Sequence, residues 1–298
     1  MLGERSTFYY SQSHQPIHQW RWKYVAAVIV LILARAANSE QKEEVAGWKV
    51  ILPGMELRWL SSESKKEEGE SRIFIVRINP AKWQLIYVGI SNTGDSTAKT
   101  ARQWAKEHDL IAAINAGMYA TDYKTPVGYA EFRGCVLSGK VNKYQSIAAF
   151  DPRDPEKAPF FRIFDLDQNG VSLGSIRREY SSLIQNLRLL KKPGENRWEQ
   201  QDRKWSEAAL GEDCAGNIVF VFCRIPFTMF DLNRTLLSAK IGLVALQHLE
   251  GGPQAQLFLN VGDVNLEMFG TLGTFDSEKE GNMTGWPIPN VLGIKRKE

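Results

Sequence analysis

Residues 243–259 read LVALQHLEGGPQAQLFL. Leu243–Leu249 and Gln256–Leu259 are apolar runs of strand length, and the stretch between them, Glu250-Gly251-Gly252-Pro253-Gln254-Ala255, is built of turn formers. Working outward, the same pattern recurs. Ile73–Ile78 and Trp83–Val88 flank Asn79-Pro80 as two strands and a turn, and Leu110–Ile114 is a short strand that runs into Asn115-Ala116-Gly117. Tyr129–Phe132, Ala148–Phe150, Phe160–Phe164, Ala208–Leu210 and Ile218–Phe222 read as further strands. Two stretches have helical spacing. Ser96–His108 places Ala98, Ala101, Trp104 and Ala105 on one face, and Thr228 caps a helix through Ala239 with Phe230, Leu232, Leu236 and Leu237 on its core side. Strands outnumber helices and the two are interspersed. The expectation is an α+β fold, a single domain on a mixed, mainly antiparallel sheet with a few packed helices.

Composition bounds the function classes. The 298 residues are 43% hydrophobic and 24% charged, which excludes a disordered or collagen-like chain. The net charge of +3 sits in the first 36 residues, where Arg5, Arg21, Lys23 and Arg35 face only Glu4. The remainder is electrically neutral and has no electrostatic footprint for nucleic acid. In the same segment, the apolar run Val25–Ala34 follows Arg21 and Lys23 and precedes Ala34-Arg35-Ala36, the pattern of a signal peptide. The run is shorter than the ~20 residues of a membrane span. Residues 1–36 are therefore expected to be a signal peptide or an uncleaved anchor that places the body outside the cytoplasm, periplasmic or secreted. Residues 37–71 are expected to be a lead-in and charged linker, and residues 72–298 the domain. Three cysteines do not make a disulfide framework, and pairing of Cys214 with Cys223 is left open.

Several mechanisms are removed by what the body lacks. Beyond residue 36 only His108 and His248 remain, too few for a histidine-rich metal site, and there is no G-x-S-x-G elbow to present a serine. Gly134–Lys140 fits the opening of a phosphate loop, but Val141 stands where a hydroxyl is required and no helix follows, so no nucleotide is expected. Asp165–Gly170 mimics a calcium loop, but position twelve is Ile176 instead of a bidentate Glu.

Chemistry is concentrated at two corners. In Ile114-Asn115-Ala116-Gly117-Met118-Tyr119, a strand ends on a polar side chain and small residues follow, so a ligand can approach the backbone; Thr125-Pro126-Val127-Gly128-Tyr129 comes next. In Leu249–Ala255 a strand ends on the carboxylate of Glu250, and the glycines after it offer N–H groups to an anion. The bland reading of each is a tight turn.

The order and spacing of these pieces resemble the phosphodiester glycosidase family, in particular its bacterial subgroup. Asn115–Tyr119 resembles the family's Asn-(Ala/Gly)-Gly-Phe-Phe motif, and Pro126-Val127-Gly128 its next glycine motif. Ala209-Leu210-Gly211-Glu212-Asp213-Cys214-Ala215-Gly216 is similar to its Ala-x-Gly-x-Asp-x-x-Gly strand, and Leu249–Ala255 to its Leu-Asp-Gly-Gly-(Gly/Pro)-Ser-Ala signature. Gln185–Leu190 and Ile288–Ile294 match two more segments, so the resemblance spans about residues 70–295. It departs at Glu250 for Asp, at Met118-Tyr119 for Phe-Phe, and at Glu207-Ala208-Ala209, where the family has Arg-Thr-Ala.

The resemblance implies hydrolysis of a sugar-1-phosphodiester at the C1–O bond, releasing sugar and a phosphomonoester. It assigns Glu250 as nucleophile, base or electrostatic stabiliser, Arg188 as the phosphate ligand, Asn115 as the residue that orients a sugar hydroxyl or N-acetyl group, and Glu131 as the second carboxylate. Gly117, Tyr119, Gly128, His248, Gly251 and Gly252 complete the substrate-binding set, with Tyr119, Trp198 or Trp205 stacking on the sugar. Asp122 and Asp263 remain as further carboxylates. The expected partner is a phosphorylated glycan or sugar phosphodiester, with no nucleic acid and no nucleotide. No cofactor is expected, a divalent metal is left open, and no oligomeric state is set. The rival expectation is a non-catalytic module that binds phosphorylated envelope glycans; an ordinary glycosidase with two carboxylates is a third.

Overall fold

A computed structural model describes residues 47–61, 72–271 and 285–297. The leader (1–36), most of the charged linker and the segment at 272–284 lie outside the described residues. In chain order the strands are β1 (Lys49–Leu52), β2 (Met55–Ser61), β3 (Arg72–Ile78), β4 (Trp83–Gly89), β5 (Ala112–Asn115), β6 (Ala130–Phe132), β7 (Cys135–Ser138), β8 (Ser146–Pro152) and β9 (Phe161–Asp165). They continue as β10 (Tyr180–Lys191), β11 (Glu195–Asn196), β12 (Trp205–Asp213), β13 (Ile218–Phe227), β14 (Leu243–Gly251), β15 (Gln256–Val261), β16 (Val264–Phe269) and β17 (Asn290–Arg296). The helices are the one-turn α1 (Ile90–Thr93), α2 (Ala101–Glu107), α3 (Leu173–Glu179) and α4 (Met229–Ser238).

The strands form two sheets. The larger has 12 strands, with the path β1-β2-β3-β13-β12-β14-β10-β6-β7, with β8 and β11 also paired to β10 and β9 paired to β8. The smaller has 5, in the order β16-β15-β5-β17-β4. Neighbouring strands are antiparallel in both. The architecture is the expected α+β, mainly antiparallel domain. One boundary moves: residues 49–61, expected as a lead-in, are β1 and β2, and Leu57 and Trp59 pair with Val76 and Phe74 of β3. Their apolar side chains and long register hold them in the sheet.

The period-2 pattern explains the layers. Val76, Ile78, Ala208, Leu210, Phe220 and Phe222 face inward, against Leu85, Ile114, Leu257 and Leu292 of the smaller sheet. The intervening Ile73, Ile75, Ala209, Val219 and Val221 face outward, under Met229, Leu232 and Leu236 of α4. Strand runs such as Ile218–Phe222 are apolar throughout because both faces are covered. Burying each large side chain is worth about 1.5–3 kcal/mol relative to exposure. Helix α2 covers the other outer face with Ala101, Trp104 and Ala105. The Thr228 cap is the expected one, its side chain accepting from the Asp231 amide at α4, whereas α2 starts at Ala101 behind a capping box of Thr100 and Gln103, five residues after the expected Ser96. Cys214 and Cys223 are free, the first exposed and the second buried.

Candidate active site

The chain leaves the larger sheet at the end of β14, turns once through Gly252–Gln254, and enters the smaller sheet as β15. Strand β15 pairs with β5, with Leu257 opposite Ile114. The turn therefore crosses the end of β5, where Asn115 stands. The Asn115 side chain, buried, bonds to this turn through both ends of its amide. Its Nδ2 donates to Gln254 O at 2.9 Å, and its Oδ1 accepts from Gln256 N at 2.7 Å. Two corners 139 residues apart in sequence are thus clamped together by one side chain.

Strand β10 secures the same region from below. Asn186 Nδ2 donates to Ala116 O at 3.1 Å. Gly117 packs on this amide: its φ is +148°, and a Cβ there would lie 2.4 Å from Asn186 Oδ1. Gly128 rests on the Gln185 backbone, where a Cβ would meet the carbonyl oxygen at 2.4 Å. The Gln185 side chain accepts from the Tyr129 and Asn142 amides and donates to the Asn142 and Tyr144 carbonyls. The loop after β5 is fixed by polar side chains that close it over the end of β10.

At this junction lies Glu250, 8% exposed. Its Oε1 accepts from the following amide, Gly251 N, at 3.1 Å. Burial pushes the carboxyl above its ordinary value, and His248 pulls the other way. Gly251 lies against the Trp205 ring, and Gly252 carries the positive φ, +64°, that starts the turn. Burial first, and then the Glu250 charge, raise the Tyr119 phenol. The Tyr119 hydroxyl is buried and has no hydrogen-bond partner among the described residues. The arrangement offers a desolvated carboxylate whose charge reaches the Tyr119 phenol, a setting in which a proton can be held and a nearby positive centre stabilised.

Residues 108–295 match the sequence profile of the family described as phosphodiester glycosidase. The chain belongs to the phosphodiester glycosidase family. No curated protein sequence is significantly similar to it. Among solved structures it is similar to the catalytic domain of zebrafish N-acetylglucosamine-1-phosphodiester alpha-N-acetylglucosaminidase, auto-inhibited by its pro-peptide. That match covers 84% of this chain and 86% of the other, at 15% identity and a TM-score of 0.58. A hypothetical protein from Synechocystis matches over 82% of this chain and 62% of its own, at 12% identity and a TM-score of 0.51. At these identities the likeness is one of fold.

Both glycine-flanked corners lie inside the phosphodiester glycosidase match. Asn115, Gly117, Tyr119, Gly128, His248, Glu250, Gly251 and Gly252 all belong to the junction just described. Two of the expected residues do not. The Arg188 guanidinium is bound to Asp165 at 3.1 Å and to Asp167 at 2.8 Å, away from Glu250. It holds Asp167 at about 2, and no arginine acts on the charge of Glu250 among the described residues. Glu131 is buried and taken up by Arg177 Nε at 2.7 Å and by the Tyr129 hydroxyl. Asp122 closes its own turn to Lys124 and Thr125, with a lowered carboxyl held first by the Thr125 side chain. Trp198 donates to the Arg188 carbonyl, lining a cleft of about 500 Å³ beside Arg188. A larger cleft of about 890 Å³ includes Trp83, Phe132 and Lys297. Glu250 lines neither.

Sequence reasoning missed Glu207. It is fully buried, and its two carboxylate oxygens lie 2.7 and 2.9 Å from His248 Nδ1. Trp205 Nε1 donates to it at 2.8 Å. The available signal was a carboxylate set directly before the apolar run Ala208–Leu210 of β12. It also missed Gln185 and Asn186, which look like ordinary strand residues until the loop above them is in place. One cluster of metal-type ligands occurs among the described residues, Asp95, Glu107 and His108, and the Lys99 ammonium already binds both of its carboxylates.

Proposed function

We propose that this protein hydrolyses a glycosyl phosphodiester outside the cytoplasm, releasing a sugar and a phosphomonoester. The observation that carries the reading is the double hydrogen bond from Asn115 to the corner after Glu250, which closes two glycine-flanked loops on one buried carboxylate. Membership in the phosphodiester glycosidase family supports the substrate class.

The chemistry follows from the groups present. A phosphate oxygen is a good leaving group, so cleavage of the C1–O bond does not need a strong acid. The bonding pair leaves with the phosphate, and the sugar carbon becomes oxocarbenium-like. Glu250, desolvated and close to Tyr119, sets its negative charge against that carbon. Water then bonds to C1 and yields its proton to Glu250. In this reading the phosphate is met by the amide of Gly252, which opens the turn after Glu250. Asn115 is occupied by the corner, so its role is to hold the loops in place for the sugar.

One observation favours the binding-only alternative: Arg188 is held by two aspartates, leaving the junction without that guanidinium for phosphate. Purified protein and Glu250→Gln are therefore assayed for phosphomonoester release from a panel of N-acetylglucosamine and other glycosyl phosphodiesters, beside direct binding. The expected result is turnover by the native protein and a loss of about 100-fold or more in the variant, in line with removal of a catalytic proton acceptor, with an unchanged circular dichroism spectrum. Binding without release would establish the module, and full activity in Glu250→Gln would remove Glu250 from the mechanism.

A further inference from the structure

An edge strand leaves one row of backbone N–H and C=O groups unpaired, and proteins blunt such edges with charges, proline or bulges. Strand β4 ends the smaller sheet and has none of these. It reads WQLIYVG, and its pairing with β17 runs unbroken from Trp83 to Gly89. At the opposite edge, β16 carries Glu267, ion-paired to Arg102. The Asn92 side chain shows which groups of β4 point away from β17. Its Nδ2 donates to Tyr87 O at 3.1 Å and its Oδ1 accepts from Gly89 N at 2.8 Å, so it stands in for one residue of a neighbouring strand. By the two-residue repeat of a strand, the N–H and C=O of Leu85 and the N–H of Tyr87 point the same way. Leu85 and Tyr87 are only 4% and 2% exposed, yet among the described residues these three groups meet no partner across the edge. Buried main-chain polar groups are almost always paired, so this row lacks an occupant.

Leu85 and Tyr87 line the cleft of about 890 Å³. Part of its lining is a run of rings, with Tyr87 and Phe132 centroids 6.3 Å apart and Phe132 and Phe150 centroids 6.5 Å apart. Its charged lining is cationic: Arg133, Lys295 and Lys297 stand against one carboxylate, Asp151. Lys297 Nζ lies 3.3 Å from the centre of the Phe160 ring and Arg133 Cζ 5.2 Å from that of Phe132. No salt bridge holds any of the three cations among the described residues. We propose that this cleft is the docking site for an extended, acidic peptide segment of a partner protein, which adds to the smaller sheet as a strand beside β4. The peptide backbone takes the free groups of Leu85 and Tyr87, alternate apolar side chains rest on the rings, and acidic side chains neutralise the cations. Asn92 already holds the Tyr87 carbonyl, so the added strand ends there. A second copy docked through β4 would bring like cations together, which disfavours it. The site is separate from Glu250, which does not line the cleft.

The probe is a short synthetic peptide alternating glutamate with valine, titrated into the purified protein by fluorescence anisotropy and by NMR of the backbone amides. Saturable binding that weakens with salt is expected, with the Leu85 and Tyr87 amides gaining protection from hydrogen exchange. N-methylation of the peptide should show the period of a strand. Methyl groups on amides of one parity weaken binding by about fivefold or more, through one lost hydrogen bond and its orphaned partner, and those of the other parity are tolerated. The double variant Arg133→Glu/Lys297→Glu should bind about tenfold or more weakly. If that variant fails to fold, a peptide with lysine in place of glutamate makes the same comparison on the native protein. No binding, equal binding of the basic peptide, indifference to the parity of methylation, or unprotected Leu85 and Tyr87 amides overturns the proposal. Competition by an acidic polysaccharide with those amides unprotected would assign the cleft to polyanions instead. A dimer in sedimentation with the amides protected in the absence of peptide would assign it to a second copy. Either result overturns the peptide site.

Discussion

Replacing Asn115 with Ala tests whether one side chain holds the two corners together. The substitution leaves Gln256 N–H, in the buried interior, and Gln254 C=O, at its edge, without partners. Each orphaned buried group costs about 1–3 kcal/mol, so the pair costs roughly 2–6 kcal/mol. For a domain of this size that corresponds to a fall in Tm of roughly 5–15 °C. Thermal melts followed by circular dichroism give the stability, and phosphomonoester release gives the activity, which is expected to fall further than stability alone explains because the corner holding Glu250 loses its clamp. Asn115→Asp sharpens the argument. As a carboxylate it sets an oxygen against the Gln254 carbonyl; as an acid it regains the donor. Burial and that carbonyl raise its folded pKa above the unfolded value. Its stability deficit should therefore be small at low pH and grow as pH rises. A Tm for Asn115→Ala indistinguishable from the native protein, with activity kept, would refute the clamp.

Gly117→Ala places a Cβ 2.4 Å from Asn186 Oδ1 at a φ of +148°. The expected cost is about 1–3 kcal/mol in urea unfolding, with a raised KM, and native stability would show that the loop seats differently. The Glu207–His248 pair predicts a pH dependence of stability. Burial lowers His248, the two carboxylates outweigh burial, and the folded imidazole titrates above its unfolded value. The contribution is full below the ordinary imidazole value of about 6.5 and is lost as pH rises through the folded one. Tm should fall with rising pH on the alkaline side of neutrality, and this slope should vanish in the double variant Glu207→Gln/His248→Gln, which lacks both charges; an identical slope in the native protein and the variant would assign it elsewhere.

The junction around Glu250 was legible because its chemistry is written locally. A polar residue at the end of an apolar run, followed by glycine, needs no partner to be recognised, and both Asn115 and Glu250 have that form. Arg188 shows the opposite case. As a cation in a sequence it is available to any anion, but folding sets it against Asp165 and Asp167, more than twenty positions away, and its charge is spent there. Glu131 likewise meets Arg177, 46 positions on.

Periodicity, the Thr228 cap and glycine placement specified many of the strands, the start of α4 and the two corners from the chain alone, because each depends on neighbours a few residues apart, whereas the start of α2, strand β10 and helix α3 were not legible there. Which face of a strand is covered, which carboxylate meets which cation, and that Glu207 stands under His248 depended on the antiparallel register of β12 against β14. Burial and ion pairing are decided between segments that meet only in the folded molecule. The environment that folding creates there determines whether a charged side chain is free to act or serves to hold another in place.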